Sequence, residues 1–183
     1  MVFRLHKTVA MVGMMGAGKT AIGQAVARRL NVPFLDSDAE IVAAANMSIP
    51  EIFARDGEAF FRRKEAQVIA RLLEEERGIL STGGGAFLDA GNRALIADRG
   101  VAVWLRADLD LLWARVRHKD TRPLLRTDDP YGTLAALLET RTPAYAEAAL
   151  VVDAQPDFSI AQMTEQVIAA LLSRPDVLEQ VDT

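Results

Sequence analysis

The 183-residue sequence contains no cysteine. This excludes a disulfide framework, a thiol nucleophile, a Cys-ligated zinc site and an iron–sulfur cluster. Histidine is almost as scarce: His6 and His118 are the two present, too few for a His-rich metal site. No apolar run approaches the roughly 18 residues that a membrane span needs. The opening Met-Val-Phe-Arg-Leu-His-Lys-Thr has no apolar stretch leading to a small-residue cleavage site, so it does not read as a signal peptide. Positive charge is not in excess either. Against 21 Lys and Arg stand 25 Asp and Glu, a net charge of −4, whereas a general nucleic-acid binder is basic. The expectation is a cytoplasmic monomer with neither membrane nor nucleic-acid partner. What is present is the balance of an ordinary globular protein: 50% hydrophobic and 25% charged residues. The length suits a single domain over residues 1–183.

Short apolar runs alternate with helical periodicity. Strands are expected at residues 8–12, 32–35, 79–82, 101–105 and 150–152. Helices are expected at 19–30, 39–45, 49–55, 58–76, 90–99, 108–117, 133–148 and 160–172. Asp38 is expected to cap the helix at 39–45, and residues 174–183 read as a frayed tail. Strands separated by helices pair in parallel, so the pattern predicts a three-layer α/β sandwich around a five-stranded parallel sheet. Ligands of such sheets bind at the carboxyl ends of the strands, which directs attention to the residues that follow each strand.

After the first strand comes Gly13-Met14-Met15-Gly16-Ala17-Gly18-Lys19-Thr20, which matches G-x-x-x-x-G-K-[ST]. Glycines let backbone N–H groups close on phosphate oxygens, and the following helix adds its positive end. Lys19 would reach the β- and γ-phosphates and the Thr20 hydroxyl would ligate Mg²⁺. Such a loop fixes a nucleoside triphosphate but not the acceptor. No Asn-Lys-x-Asp segment is present to read guanine, and the third strand runs into Ser81-Thr82-Gly83-Gly84-Gly85 rather than into a Walker B acid. Both absences favour a small kinase.

Asp36 and Asp38 follow the second strand at i and i+2, which in extended chain places both carboxylates on one side. One would hold a magnesium-bound water and the other would accept a hydroxyl proton. Arg62 and Glu65 lie three apart on one helical face, a guanidinium suited to a carboxylate with a neighbour to orient it. Three consecutive glycines, Gly83 to Gly85, imply close approach of a ligand to backbone. Residues 115–132 carry five basic side chains, two prolines and no clear period in the middle. A segment of this kind in a compact domain is expected to act as a lid. Arg141-Thr142-Pro143-Ala144-Tyr145 sets an arginine beside a helix-interrupting proline.

Together these segments resemble the shikimate kinases, members of the nucleoside-monophosphate-kinase-like group of P-loop NTPases with a mobile lid. The resemblance covers roughly residues 8–172 and rests on Gly-Met-Met-Gly-Ala-Gly-Lys-Thr, Asp36-Ser-Asp38, Gly57-Glu-Ala-Phe-Phe-Arg62 with Glu65, Gly83-Gly-Gly85, Arg122-Pro-Leu-Leu and Arg141-Thr-Pro-Ala-Tyr145. It implies transfer of the ATP γ-phosphoryl group to the 3-hydroxyl of shikimate, on the route to aromatic amino acids. It further implies that Gly16, Ala17, Gly18, Lys19 and Thr20 hold the ATP phosphates, with Thr20 on Mg²⁺ and Asp36 supporting the ion through water. Asp38 would contact the shikimate hydroxyls and act as base. Arg62 and Arg141 would clamp the carboxylate, Glu65 would steady Arg62, and Gly83, Gly84 and Gly85 would present backbone N–H groups. Arg122 would close from the lid onto the transferring phosphate, and Arg115 and Gln155 would border the adenine. The substrate-binding insert would span about 36–65. One departure is Ala21, where the family often has a second hydroxyl after the loop lysine. Two other readings remain: a related kinase such as a gluconate kinase, and a catalytically silent nucleotide-binding module.

Overall fold

Strand β2 (Thr8–Val12) consists of five consecutive buried residues, the mark of a strand covered on both faces. It lies at the centre of a five-stranded sheet of order β3-β4-β2-β5-β6. The others are β3 (Phe34–Asp36), β4 (Ile79–Ser81), β5 (Gly100–Arg106) and β6 (Leu150–Asp153). Every pairing in this sheet is parallel. The computed structural model describes residues 2–118 and 125–183.

Helices supply the outer layers: α1 (Lys19–Leu30), α2 (Ser37–Ala45), α3 (Ile49–Asp56), α4 (Glu58–Glu75), α5 (Ala90–Arg99), α6 (Leu109–Val116), α7 (Pro130–Tyr145) and α8 (Ile160–Leu172). Helix α1 packs on α8, and α4 packs on both α3 and α5. Among the described residues no helix is long and apolar enough to cross a membrane. The registers Asp36↔Ser81, Val12↔Trp104 and Arg106↔Asp153 align the carboxyl ends of the strands. Gly13, the residues after Asp36, and Thr82–Gly85 therefore emerge along one edge.

Several boundaries differ from those expected. Helix α2 begins at Ser37 and its cap is Asp36, whose side chain accepts from the Ala39 N–H at 3.1 Å. Asp38 falls inside the first turn instead of capping it. Helix α7 starts at Pro130, capped by Asp129, because proline fits the first helical turn where no N–H is needed. The expected lid thus gives up residues 130–132 to α7 and Arg115 and Val116 to α6. Helix α7 also continues through Pro143, where the Thr142 hydroxyl donates to the Leu138 carbonyl at 2.6 Å.

The expected frayed tail is ordered. Strand β7 (Leu178–Val181) pairs antiparallel with β1 (Val2–Leu5), an N-terminal strand absent from the sequence reading. Val177 and Leu178 are buried, the His6 N–H donates to the Val177 carbonyl, and the His6 ring meets Glu179 at 2.8 Å. Neither segment has length or periodicity enough to announce itself. Each becomes a strand because the other end of the chain arrives beside it.

Candidate active site

The phosphate loop occupies the turn from β2 into α1. Gly18 is the N-cap at φ 98°, a left-handed conformation that disfavours any side chain. Among the described residues no side chain caps this helix, which leaves its first-turn N–H groups to an anion. The Ala17 N–H closes a turn on the Met14 carbonyl at 3.1 Å. The Lys19 ammonium folds back over the loop and donates to the carbonyls of Gly13 and Met14 at 2.5 and 3.2 Å. From α6, Arg115 donates to the Gly16 carbonyl at 3.0 Å.

Beside the loop lies a cavity of about 810 Å³. Its polar wall contains Lys19, Thr20, Asp36, Asp38, Arg62, Glu65, Gly83, Gly84, Gly85 and Arg141. Asp36 and Asp38 thus share one cavity, although Asp38 arrives there from a helical turn and not from extended chain. Burial, with the Asp36 carboxylate second, holds the Asp38 carboxyl above its ordinary range, while Lys19 and Arg62 pull the other way. Its Oδ1 has no hydrogen-bond partner among the described residues.

Arg62 and Glu65 form the expected pair on α4: Arg62 Nη1 donates to Glu65 Oε1 at 2.9 Å. Glu65 is 1% exposed, far from a solvated helical pair. Burial raises its carboxyl pKa, with the Arg62 hydrogen bond acting in the opposite direction. Glu65 Oε2 is a second buried oxygen without a partner among the described residues.

The glycine run is explained by what surrounds it. A methyl on Gly83 would stand 2.8 Å from Asp38 Oδ1, one on Gly84 3.1 Å from Arg141 Nη1, and one on Gly85 2.5–2.8 Å from the Arg62 guanidinium. Each glycine therefore makes room for a different charged group of the cavity. Arg141 itself is buried, although it comes from α7, far along the chain.

The sequence reading missed the apolar side of this cavity. Ile49, Pro50, Phe53 and Ala54 of α3, with Met15 and Phe61, line it. Helix α3 buries Ile52 in the core and turns neighbouring side chains to the cavity, so its apolar residues serve two surfaces. A short amphipathic helix gives no hint of the second.

A further cavity of about 500 Å³ adjoins the loop, lined by Gly16, Gly18, Lys19, Thr20, Arg115, Met14, Phe158, Ile160 and Met163 among others. Arg115, expected near the adenine, lines this cavity. Gln155 is not in this lining; it is exposed, and its carbonyl accepts from the Phe158 N–H at 3.2 Å. Arg122 lies outside the described residues.

A Mg²⁺ ion is compatible with the donor set. Thr20 and Asp36 present hard oxygens to the cavity that holds Lys19, and one Asp36 oxygen is left after capping. Among the described residues no cluster of three or more acidic or histidine side chains could form an all-protein metal cage. That suits an ion which keeps several waters and is bound mainly through substrate phosphates.

Comparison with known proteins agrees with this geometry. The shikimate kinase family profile matches residues 15–172. A shikimate kinase of Ruegeria pomeroyi is 69% identical over 175 residues, covering 96% of this chain and 90% of that protein. A shikimate kinase structure from Acinetobacter baumannii, in complex with shikimate, superposes with a TM-score of 0.85 at 34% identity, covering 91% of this chain and 93% of that one. A gluconokinase from Sinorhizobium meliloti reaches a TM-score of 0.61 at 19% identity, covering 94% and 95%, a likeness of fold alone. With a P-loop beside a cavity bearing two arginines and a half-buried aspartate, and with relatives this similar along nearly the whole chain, the protein belongs to the shikimate kinase family.

Proposed function

We infer that the protein transfers the γ-phosphoryl group of ATP to the 3-hydroxyl of shikimate, giving shikimate 3-phosphate and ADP. The observation that carries this reading is the cavity itself: two arginines from different helices and one buried aspartate oxygen, without a partner among the described residues, line the cavity beside the phosphate loop where an acceptor must sit.

The roles follow from the chemistry of each group. Arg62 and Arg141 bind the substrate carboxylate through charge-assisted hydrogen bonds. Glu65 holds Arg62 in place. The N–H groups of Gly83 to Gly85 have no acceptor among the described residues and are available to substrate oxygens. Asp38 accepts the proton of the 3-hydroxyl as its oxygen attacks the γ-phosphorus and the bond to the β-phosphate oxygen breaks. A carboxyl held above its ordinary range by burial is a better base than a solvated aspartate. Lys19 must leave its loop carbonyls to follow the phosphoryl charge, which grows on the equatorial oxygens in flight. Loop N–H groups of residues 16–20 and Arg115 hold the nucleotide, with Gln155 at its margin. Arg122 would close over the phosphates from the lid. Thr20 directly, and Asp36 through water, would hold Mg²⁺, which when bound offsets the charge of the β- and γ-phosphates.

The test is ADP release with ATP and a panel of acceptors, with the product identified by ³¹P NMR. Shikimate-dependent turnover giving a phosphate ester at the 3-oxygen is expected. Turnover with gluconate and not shikimate would assign the related kinase activity. Nucleotide binding without any acceptor-dependent turnover would make the chain a silent module.

A further inference from the structure

The three glycines of the substrate wall need something to hold their peptides still, since glycine restrains its own backbone least. Residue by residue, the loop's carbonyls are accounted for. Gly83 O accepts from the Ala86 N–H and Gly85 O from the Leu88 N–H. Ala86 O accepts from Asn92 Nδ2 at 2.9 Å, and Phe87 and Leu88 carbonyls accept from Arg93 at 2.8 and 2.9 Å. The remaining one, Gly84 O, accepts from the Tyr145 hydroxyl at 2.6 Å. Among the described residues the N–H groups of Gly83, Gly84 and Gly85 have no acceptor. The loop is thus anchored by its carbonyls and offers its amides.

Tyr145 is the anchor in the middle of this arrangement. It ends α7, one helical turn after Arg141, and its side chain is fully buried, 6.0 Å from the Trp104 ring. Burial pushes its phenol pKa up against the pull of Arg141 beside it, so the hydroxyl stays a donor at neutral pH. A trans peptide points its C=O and the next N–H in opposite directions. Holding Gly84 O therefore aims the Gly85 N–H away from Tyr145. The same residue stands beside one arginine of the clamp and fixes the glycine whose missing Cβ leaves room for that arginine.

We propose that Tyr145 is a positioning residue for the acceptor: its hydroxyl sets the Gly83–Gly85 peptides, and with them the backbone donors and the seat of Arg141, in the arrangement that receives shikimate. The proposal rests on the acceptor reading given above. It implies a substrate-selective defect, because among the described residues the polar and ring partners of Tyr145 are Gly84, Arg141 and Trp104, none of them in the phosphate loop.

The test is Tyr145→Phe, which removes the hydroxyl and keeps the ring. Shikimate KM is expected to rise about tenfold, the worth of one buried hydrogen bond, with ATP KM within about twofold of wild type. The Ala86 and Leu88 amides, which donate to the Gly83 and Gly85 carbonyls, should exchange faster in hydrogen-exchange mass spectrometry, and the Ala17 and Ile22 amides at the phosphate loop should not. Unchanged shikimate KM, or equal weakening of ATP and shikimate, overturns the proposal. If the variant does not fold, the wild-type chain answers instead, because Tyr131 and Tyr145 are the sole tyrosines. Labelling with 3-fluorotyrosine, assigned with Tyr131→Phe, should show a Tyr145 ¹⁹F signal that moves with shikimate and not with a non-hydrolysable ATP analogue; a signal indifferent to shikimate contradicts the role. Wild-type turnover of shikimate is measured in the same series, so failure of the acceptor reading shows separately from failure of this one.

Discussion

The two walls of the active site are built by opposite means. The phosphate loop is eight contiguous residues, and in the reading proposed above it works through backbone N–H groups and the Lys19 ammonium, which here donates to the Gly13 and Met14 carbonyls. The proposed acceptor wall is drawn from separate segments, and beside the Gly83–Gly85 amides it adds what the loop lacks, side-chain charges held by partial burial and pairing. Contiguous backbone can bind any triphosphate of the right shape. A wall of preset charges selects one acceptor. Specificity accordingly resides where the chain must fold to assemble it, and variants should separate the two walls by which substrate they affect.

The largest effect is expected at the point where the walls meet. Asp38→Asn should lower kcat by about 10²–10⁴-fold, the range for loss of a positioned base. In the wild type, kcat/KM for shikimate should fall as pH drops through a pKa above the ordinary aspartate value of 3.8. The replacement should erase that limb in its residual activity. The sign for stability is opposite. A raised folded-state pKa means the folded protein binds the proton more tightly, so stability declines as pH rises from 3.8 through the folded value. Asp38→Asn should therefore raise Tm at neutral pH, with the gain shrinking toward pH 4. A gain that grew with acidity would contradict the burial account.

Lys19→Ala should cost about 10²–10³-fold in kcat, comparable to removing a preorganised charge from a transition state, while shikimate binding stays within about twofold. Equal loss of shikimate binding would merge the two walls. Next in size, Arg141→Ala should raise shikimate KM by about one to two powers of ten through loss of a charge-assisted bond of roughly 1.5–3 kcal/mol. Glu65→Gln should have a smaller effect in the same direction, about fivefold, because it keeps a hydrogen bond to Arg62 but not the charge. An ATP-selective defect in either variant would remove that residue from the acceptor wall.

The same division explains what the sequence made legible. The phosphate loop and the central strand could be read because each is local: a fixed spacing of glycines before a lysine, and a run of buried residues. Asp38, Arg62, Glu65 and Arg141 are weak signals singly and are assigned to the acceptor by the resemblance of six segments in order; the structure brings them to one cavity. Their mode of arrival was not readable. Asp36 outcompeted Asp38 for the cap because it sits one residue before the helix, where its side chain reaches the Ala39 N–H. The pairing of β1 with β7 joins residues at the two ends of the chain, and four-residue strands leave no local pattern to detect. The apolar cavity face of α3 was hidden for the related reason that core and site select the same residue types. The smallest expected effect belongs to this illegible part. Glu179→Gln, at the partly exposed His6 contact, should lower stability by at most about 1 kcal/mol and leave both KM values unchanged.

The most direct test is calorimetric titration of shikimate into wild type, Arg62→Ala and Lys19→Ala, each with and without a non-hydrolysable ATP analogue. The account predicts that Arg62→Ala loses about one to two powers of ten in shikimate affinity while still binding the analogue, and that Lys19→Ala keeps its shikimate affinity. Undiminished shikimate binding by Arg62→Ala, or its loss in Lys19→Ala, would contradict it.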